Sequence, residues 1–271
     1  MKKKVLITGA NSGIAKELIK LLRCEDGFEI YLATRSEIAQ ENSDLSHFYF
    51  DVSDEKSVVE LSSNFDELYA LVNFAGVAIS SPIECMEESA LRAQFDTNFF
   101  GLFKILKNFA QKIMPKHGRV INISSMASFG IFPFISPYCS SKAAGDVILN
   151  LFSVETGIKT VSIKPGVIKT PFWSSSIKLN EDNFKNFVGK YEKTGEFLIE
   201  NAKKNETSGL EPICVAKVIL KALKASEPRA SYTVGRDAKV AQFTKFIPQT
   251  LLNKIIRFFL LIRVNKQDFK C

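Results

Sequence analysis

Histidine is almost missing from this chain: His47 and His117 are the only two in 271 residues. They stand apart from each other and from every cysteine, so no ligand spacing of a structural zinc site exists and no metal is expected. The five cysteines (24, 85, 139, 214 and 271) include no Cys-x-x-Cys pair. That argues against a disulfide framework and for a reducing, cytoplasmic compartment. No stretch approaches the roughly 20 consecutive apolar residues of a membrane span. Behind Met1-Lys-Lys-Lys the apolar run is only Val5 to Ile7, too short for the apolar region of a secretory signal. Internal repeats, low-complexity linkers and a second core are also missing.

What is present suits one α/β domain with a sizeable core, because 46% of the residues are hydrophobic, far more than in a disordered chain. The formal charge of +7 is moderate. It suits an anionic ligand or a membrane surface, and equally a plain solvated basic surface. A nucleic-acid partner is not expected.

Short apolar runs alternate with helical patterns. Strands are predicted at Lys4–Thr8, Phe28–Thr34, His47–Val52, Tyr69–Phe74, Arg119–Ser124, Lys159–Lys164 and Ser231–Val234. Ser53 is a candidate N-cap for the helix after the third strand. A single long helical pattern runs from Glu87 to about Met114 with Asn98 inside it, and another helix begins near Tyr138. This alternation predicts a Rossmann-like doubly wound parallel sheet with helices on both faces, where ligands bind beyond the C-terminal ends of the strands.

The chemistry-bearing residues fall at those ends. Gly9 and Gly13 lie in a turn between the first strand and a helix, an arrangement that brings backbone N–H groups to phosphates. Arg35 ends the second strand, where an arginine can pair with the 2′-phosphate of NADP, whereas NAD calls for an acid. Tyr138 and Lys142 are four apart and share one helix face. An ammonium held there is expected to lower the phenol pKa from about 10. A phenol so tuned can exchange a proton with a carbonyl oxygen or an alcohol. Ser125, thirteen residues before Tyr138 at the end of a strand, can hydrogen-bond the same oxygen.

Together these residues resemble the short-chain dehydrogenase/reductase family in its single-domain form. The matching elements are Thr8-Gly-x-x-x-Gly13-Ile, Asp51-Val, Asn73-x-Ala-Gly76, Asn98, Ser125, Tyr138-x-x-x-Lys142 and Pro165-Gly166-x-x-x-Thr170, in order, from Val5 to about Gly235. The resemblance implies Tyr138 as acid/base, Lys142 as the residue that tunes it and holds the nicotinamide ribose, Ser125 orienting the carbonyl, and Asn98 supporting a water beside Lys142. Ser124 is the runner-up for the serine role. The cofactor-contacting set it implies is Gly9, Asn11, Ser12, Gly13, Ile14, Arg35, Asp51, Val52, Asn73, Ala75, Gly76, Pro165, Gly166, Val167, Ile168 and Thr170, with Tyr138 and Lys142. Ser12 to Ile14 would line the pyrophosphate, Asp51 and Val52 flank the adenine, and Val167 to Thr170 cover the nicotinamide amide.

Two positions depart from the family pattern: Ala15 stands where a glycine is usual, and Phe74 where an asparagine is usual. The implied activity is NADP(H)-dependent interconversion of a ketone or aldehyde and an alcohol, with NAD second to NADP. The alternative is a non-catalytic dinucleotide sensor, although such proteins usually lose the tyrosine or lysine that this chain keeps. A homo-oligomer, dimer or tetramer, is expected.

Phe129, Phe132, Pro133, Phe134, Phe172 and Trp173 flank the catalytic motifs and point to a hydrophobic substrate. The expected organisation is a catalytic domain over 1–235, with 171–209 covering the substrate, and a basic amphipathic helical tail over 236–271. In the tail, Pro248 opens a pattern of Leu251, Leu252, Ile255, Phe258, Phe259 and Ile262 with Lys254, Arg257 and Arg263 nearby. Such a helix at 249–263 is suited to capping the pocket, packing on a second subunit or lying on a membrane surface.

Overall fold

The computed structural model describes residues 2–38, 40–185, 187 and 191–263. Met1 and residues 264–271, Cys271 among them, lie outside the described residues, as do the side chains of Ile262 and Arg263.

Seven parallel strands form one sheet: β1 (Lys3–Thr8), β2 (Phe28–Thr34), β3 (Ser46–Tyr49), β4 (Ala70–Asn73), β5 (Arg119–Ile123), β6 (Lys159–Pro165) and β7 (Ser231–Val234). Their spatial order is β3-β2-β1-β4-β5-β6-β7. The chain reverses its winding direction between β1 and β4, which opens a crevice at their C-terminal ends. Register aligns those ends, with Thr8 opposite Asn73 and Asn73 opposite Asn122.

The strands are apolar on both faces because helices cover both. In β1, Val5 and Ile7 join one core cluster with Leu18, Leu22 and Ile219, while Leu6 joins the other with Val58, Leu71 and Ile105. Helix α1 (Gly13–Arg23) buries Ala15, Leu18, Ile19 and Leu22, and Ser12 caps it by accepting the Ala15 N–H at 3.2 Å. The Ala15 methyl is fully buried in the first cluster.

Helix α2 (Glu55–Ser63) is capped by Asp54, not Ser53. Ser53 is instead tied to Asp51, which accepts its N–H at 2.9 Å and its hydroxyl at 2.6 Å. The predicted long helix from Glu87 is also broken. It comprises α3 (Glu88–Phe95), a π-helical turn at Asp96–Phe100, α4 (Gly101–Phe109) and a 3-10 turn at Ala110–Lys112. The π turn inserts a residue into the helical repeat where Asn98 projects, a distortion that polar side chains at functional sites commonly accompany. Helix α5 (Ser136–Thr156) starts with Pro137 in its first turn and ends at Gly157 in the left-handed region.

Helices α6 (Phe172–Lys185) and α7 (Glu192–Ser208) pack on each other as an excursion between β6 and α8 (Pro212–Lys224). Asn180 ties α6 to the loop after β4, accepting the Ser80 N–H at 2.7 Å and donating to Ala78 O at 2.9 Å. After β7 come α9 (Arg236–Phe243) and α10 (Gln249–Arg263).

The opposite end of the sheet carries a buried cation. Arg119 donates to Ala222 O at 2.7 Å, Ala225 O at 2.6 Å and His117 O at 2.9 Å. Its guanidinium lies 4.8 Å from the Tyr69 ring centroid, and the Tyr69 hydroxyl donates to Leu223 O at 2.6 Å. Burial lowers the Arg119 pKa, but the group keeps its charge because carbonyls at the end of α8 solvate it.

Candidate active site

A cavity of about 1040 Å³ opens at the C-terminal ends of the strands. That is large for a single-ligand site and roomy enough for a cofactor and a substrate together.

Its base is built by β1 and α1. Gly9, at φ +65°, makes the sharp turn out of β1. The N–H groups of Gly13 and Ile14, in the first turn of α1, have no acceptor among the described residues, and Asn11, Ser12, Gly13 and Ile14 line the cavity. Arg35 lines it from the end of β2, its guanidinium 3.8 Å from the Asp51 carboxylate. Burial works against the charge on Asp51, but the Ser53 hydrogen bonds and the Arg35 and Lys104 cations outweigh it and hold the carboxyl below its usual range.

Five expected cofactor contacts stand behind the wall. Gly9, Asp51, Val52, Asn73 and Ala75 are not on the lining. Val52 is buried against Gly101. Asn73 is committed inside the sheet, accepting from the Thr8 hydroxyl at 2.7 Å and donating to Asn122 Oδ1 at 2.8 Å. This Thr8–Asn73–Asn122 chain was not legible as a unit, because three separate strands supply it. Phe74 does line the cavity, beside Gly76.

The wall opposite carries the reactive set. Ser125 follows β5, and its Oγ accepts the Ala127 N–H at 3.1 Å. The same hydroxyl is close enough to the Tyr138 phenol to draw the phenol pKa down. That pull is the lesser effect: desolvation pushes Tyr138 up to about 12. Lys142 Nζ, 5.7 Å from the Tyr138 ring centroid, is itself desolvated and drops to about 8, with Asp146 opposing the fall. The expected lowering of the phenol by the lysine is therefore not what this geometry produces. Among the described residues the ammonium makes one hydrogen bond, to Ile123 O at 2.9 Å, and burial dominates both groups.

Asn98 accepts the Val77 N–H at 2.9 Å and donates to Val77 O at 3.0 Å and Ser141 Oγ at 3.1 Å. It sits behind the cavity wall, with Gly76 between its side-chain oxygen and Lys142 Nζ.

Pro165, Gly166, Val167, Ile168 and Thr170 complete the lining after β6. Trp173 holds this segment by donating its indole N–H to Ile168 O at 2.8 Å, and the Phe172 ring rests 6.2 Å from that of Tyr138.

Two residues of consequence escaped the sequence reading. Asp237, three residues past β7, accepts the Val167 N–H at 2.6 Å and packs on Gly166. Its signal was its place just beyond a strand end. Asp146, one turn beyond Lys142 on α5, accepts from Ser162 Oγ at 2.6 Å and pairs with Lys164 Nζ at 2.5 Å. Its signal was the four-residue step from Lys142.

The polar groups suit a dinucleotide. Free N–H groups at the start of α1 are phosphate donors. Lys142 has two donors beyond its single bond, and the buried Ser124 hydroxyl has no partner among the described residues. Among the described residues no group of three or more His, Cys, Asp or Glu is arranged to hold a metal. No described helix is long and apolar enough to cross a membrane.

Residues 3–181 match the short chain dehydrogenase family. This chain belongs to that family. A short-chain dehydrogenase is an NAD(P)-dependent oxidoreductase, and relatives agree with this. The chain is 27% identical to a 3-amino-tetrahydro-pyrrolizinone reductase of Xenorhabdus hominickii, with 99% of each covered. It is 26% identical to a 3-ketodihydrosphingosine reductase of Bacteroides thetaiotaomicron, covering 96% of this chain and 98% of that one. A short-chain dehydrogenase from Burkholderia cenocepacia, solved in complex with NADP, superposes with a TM-score of 0.73 at 18% identity, covering 93% of this chain and 96% of that one. The seven-stranded doubly wound sheet is thus the family's fold, as the strand and helix pattern led one to expect.

Proposed function

We propose that this short-chain dehydrogenase is an NADP(H)-dependent carbonyl reductase acting on an apolar ketone or aldehyde, with Tyr138 as the proton donor. The observation that carries the reading is the meeting of Ser125, Tyr138 and Lys142 on the wall of one cavity whose opposite wall presents Arg35 and the free N–H groups of α1.

The dinucleotide would rest its phosphates on Ser12, Gly13 and Ile14, with Arg35 reaching a 2′-phosphate and Lys142 the nicotinamide ribose. When bound, it supplies the hydride. A phenol near 12 is protonated at neutral pH, so Tyr138 is ready to give its proton to a carbonyl oxygen as negative charge develops there. Ser125 donates to the same oxygen and holds it in line. Lys142, still mostly protonated at pH 7, stabilises the phenolate left behind. Asp146 supports that charge from one turn away.

The apolar substrate is supported by Phe132, Phe134, Phe172, Trp173, Phe184 and Phe197, which line the outer part of the cavity. The name of the sphingosine-type relative points the same way. Phe103, Val147, Leu151 and Val154 form an exposed apolar stripe on α4 and α5, which suits a second copy of the chain.

The test is a kinetic comparison of NADPH with NADH across carbonyl compounds graded by chain length. The reading predicts turnover with NADPH that improves with apolar length. Equal use of NADH, or a preference for small polar carbonyls, would refute it.

A further inference from the structure

The cavity mouth is ringed by apolar side chains that face outward. Val240, Ile255 and Phe259 both line the cavity and are exposed, so they form its rim. Beyond the rim stand Phe243, Phe246, Leu251 and Phe258, all exposed, Phe246 at 82%. The phenyl groups are paired, with Phe243 and Phe246 centroids 6.5 Å apart and Phe258 and Phe259 5.9 Å apart. Clustered aromatics at this exposure on two helices and the turn joining them mark an interaction surface.

Charge selects the occupant. From Ala238 to Arg263 the sequence contains no Asp or Glu, but it contains Lys239, Lys245, Lys254, Arg257 and Arg263. Those five cations compare with a formal charge of +7 for the whole chain. A second copy docking through the same patch would set the four described cations, Lys239, Lys245, Lys254 and Arg257, against the same four, and like charges across an isologous contact oppose association. An anionic lipid surface meets both requirements at once, taking the phenyl groups into its interfacial layer and the cations onto its headgroups.

We propose that α9, the turn after it and α10 dock on anionic bilayers with the cavity mouth facing the lipid. An apolar substrate then passes from the bilayer past Val240, Ile255 and Phe259 toward Tyr138 without crossing water. The passage of substrate rests on the apolar-substrate reading above; the docking itself does not. The face of α10 that carries Leu252 and Ile256 lines the cavity, so the helix serves as pocket wall and as docking element.

The experiment is co-sedimentation of the full chain with phosphatidylcholine vesicles, with and without one-third phosphatidylglycerol. The variants are the double substitution Phe243→Asp/Phe246→Asp and the single substitution Phe258→Asp, none of which touches the cavity lining. The wild type is expected in the pellet with anionic vesicles and to be released as salt is raised. Both variants should partition at least tenfold more weakly while reducing a short, water-miscible ketone at the wild-type rate. Three results overturn the proposal: a wild type left in the supernatant with both vesicle types, variants that sediment as the wild type does, or variants that convert a wild-type dimer to monomer in gel filtration. Turnover of apolar carbonyls without vesicle binding sinks the docking alone. Vesicle binding by a chain that reduces no apolar carbonyl sustains the docking and sinks the substrate reading.

Discussion

The Asp237 carboxylate, supplied by the helix after the last strand, accepts the backbone N–H of Val167 at 2.6 Å. It thereby fixes the loop that follows Pro165. A Cβ at Gly166 would collide with that carboxylate, so the glycine and the acid are matched. Removing a charge-assisted hydrogen bond costs about 1.5–3 kcal/mol, or roughly 10- to 100-fold in an equilibrium. Asp237→Ala is expected to raise the KM for NADPH by about tenfold or more, with a smaller loss in kcat, because the role proposed for the loop is to hold the cofactor rather than the reacting carbonyl. A variant that lost kcat alone would argue against this positioning role.

Tyr138→Phe keeps the ring against Phe172 and loses only the hydroxyl. Turnover should fall by about 10²–10⁴-fold, the usual worth of a positioned acid. NADPH binding, followed by fluorescence titration, should change little. Ser125→Ala should cost roughly 10²-fold through the lost donor to the developing oxyanion.

The pH profile follows from Lys142. Its pKa falls to about 8, whereas Tyr138 stays protonated to about 12. In the reductive direction kcat/KM should hold steady up to about pH 8 and decline above it, as the ammonium that steadies the phenolate loses its proton. A profile flat to pH 10 would show that the lysine charge is not needed.

The same residue is predicted to lower stability at neutral pH. Its folded-state pKa of about 8 lies below the ordinary lysine value of 10.5. Between those two values the unfolded chain holds more protons, so this site adds stability as pH rises through that window and weakens the fold below it. Lys142→Met should therefore melt at a higher temperature than the wild type at pH 7, with the gap narrowing from pH 8 toward 10.5, while turnover is lost. Calorimetry of both proteins across that range decides it.

Arg35 is exposed and paired at 3.8 Å with Asp51, an arrangement that leaves the guanidinium free to turn toward a phosphate. Arg35→Ala should weaken use of NADPH by about 10- to 100-fold, in line with loss of a charge-assisted contact, and leave NADH nearly unchanged.

Much of this was legible in the sequence, for identifiable reasons. Strands buried on both faces read as continuous apolar runs, so Val5–Ile7 and Val120–Ile123 declared themselves, and the Ser125, Tyr138 and Lys142 spacing follows from one strand end and one helix turn. What was hidden depended on distant parts of the chain. The π turn at Asn98 reflects bonds to Val77 and Ser141, which helical periodicity does not record. Asp237 gains its meaning from Val167, seventy positions earlier. The direction of the Tyr138 shift was misjudged because proximity to a cation can be read from spacing and desolvation cannot. Ser53 looked like a cap until Asp51 claimed its hydroxyl.

Arg119 sits at the opposite edge of the strands from the cavity and staples β5 to the end of α8 through two carbonyls, those of Ala222 and Ala225. A substitution there would reduce how much active enzyme a cell accumulates and how long it survives heating, while each surviving copy would turn over at the ordinary rate. Harmful variants of this protein should therefore sort by position along the strands, into those that dilute the enzyme and those that silence it.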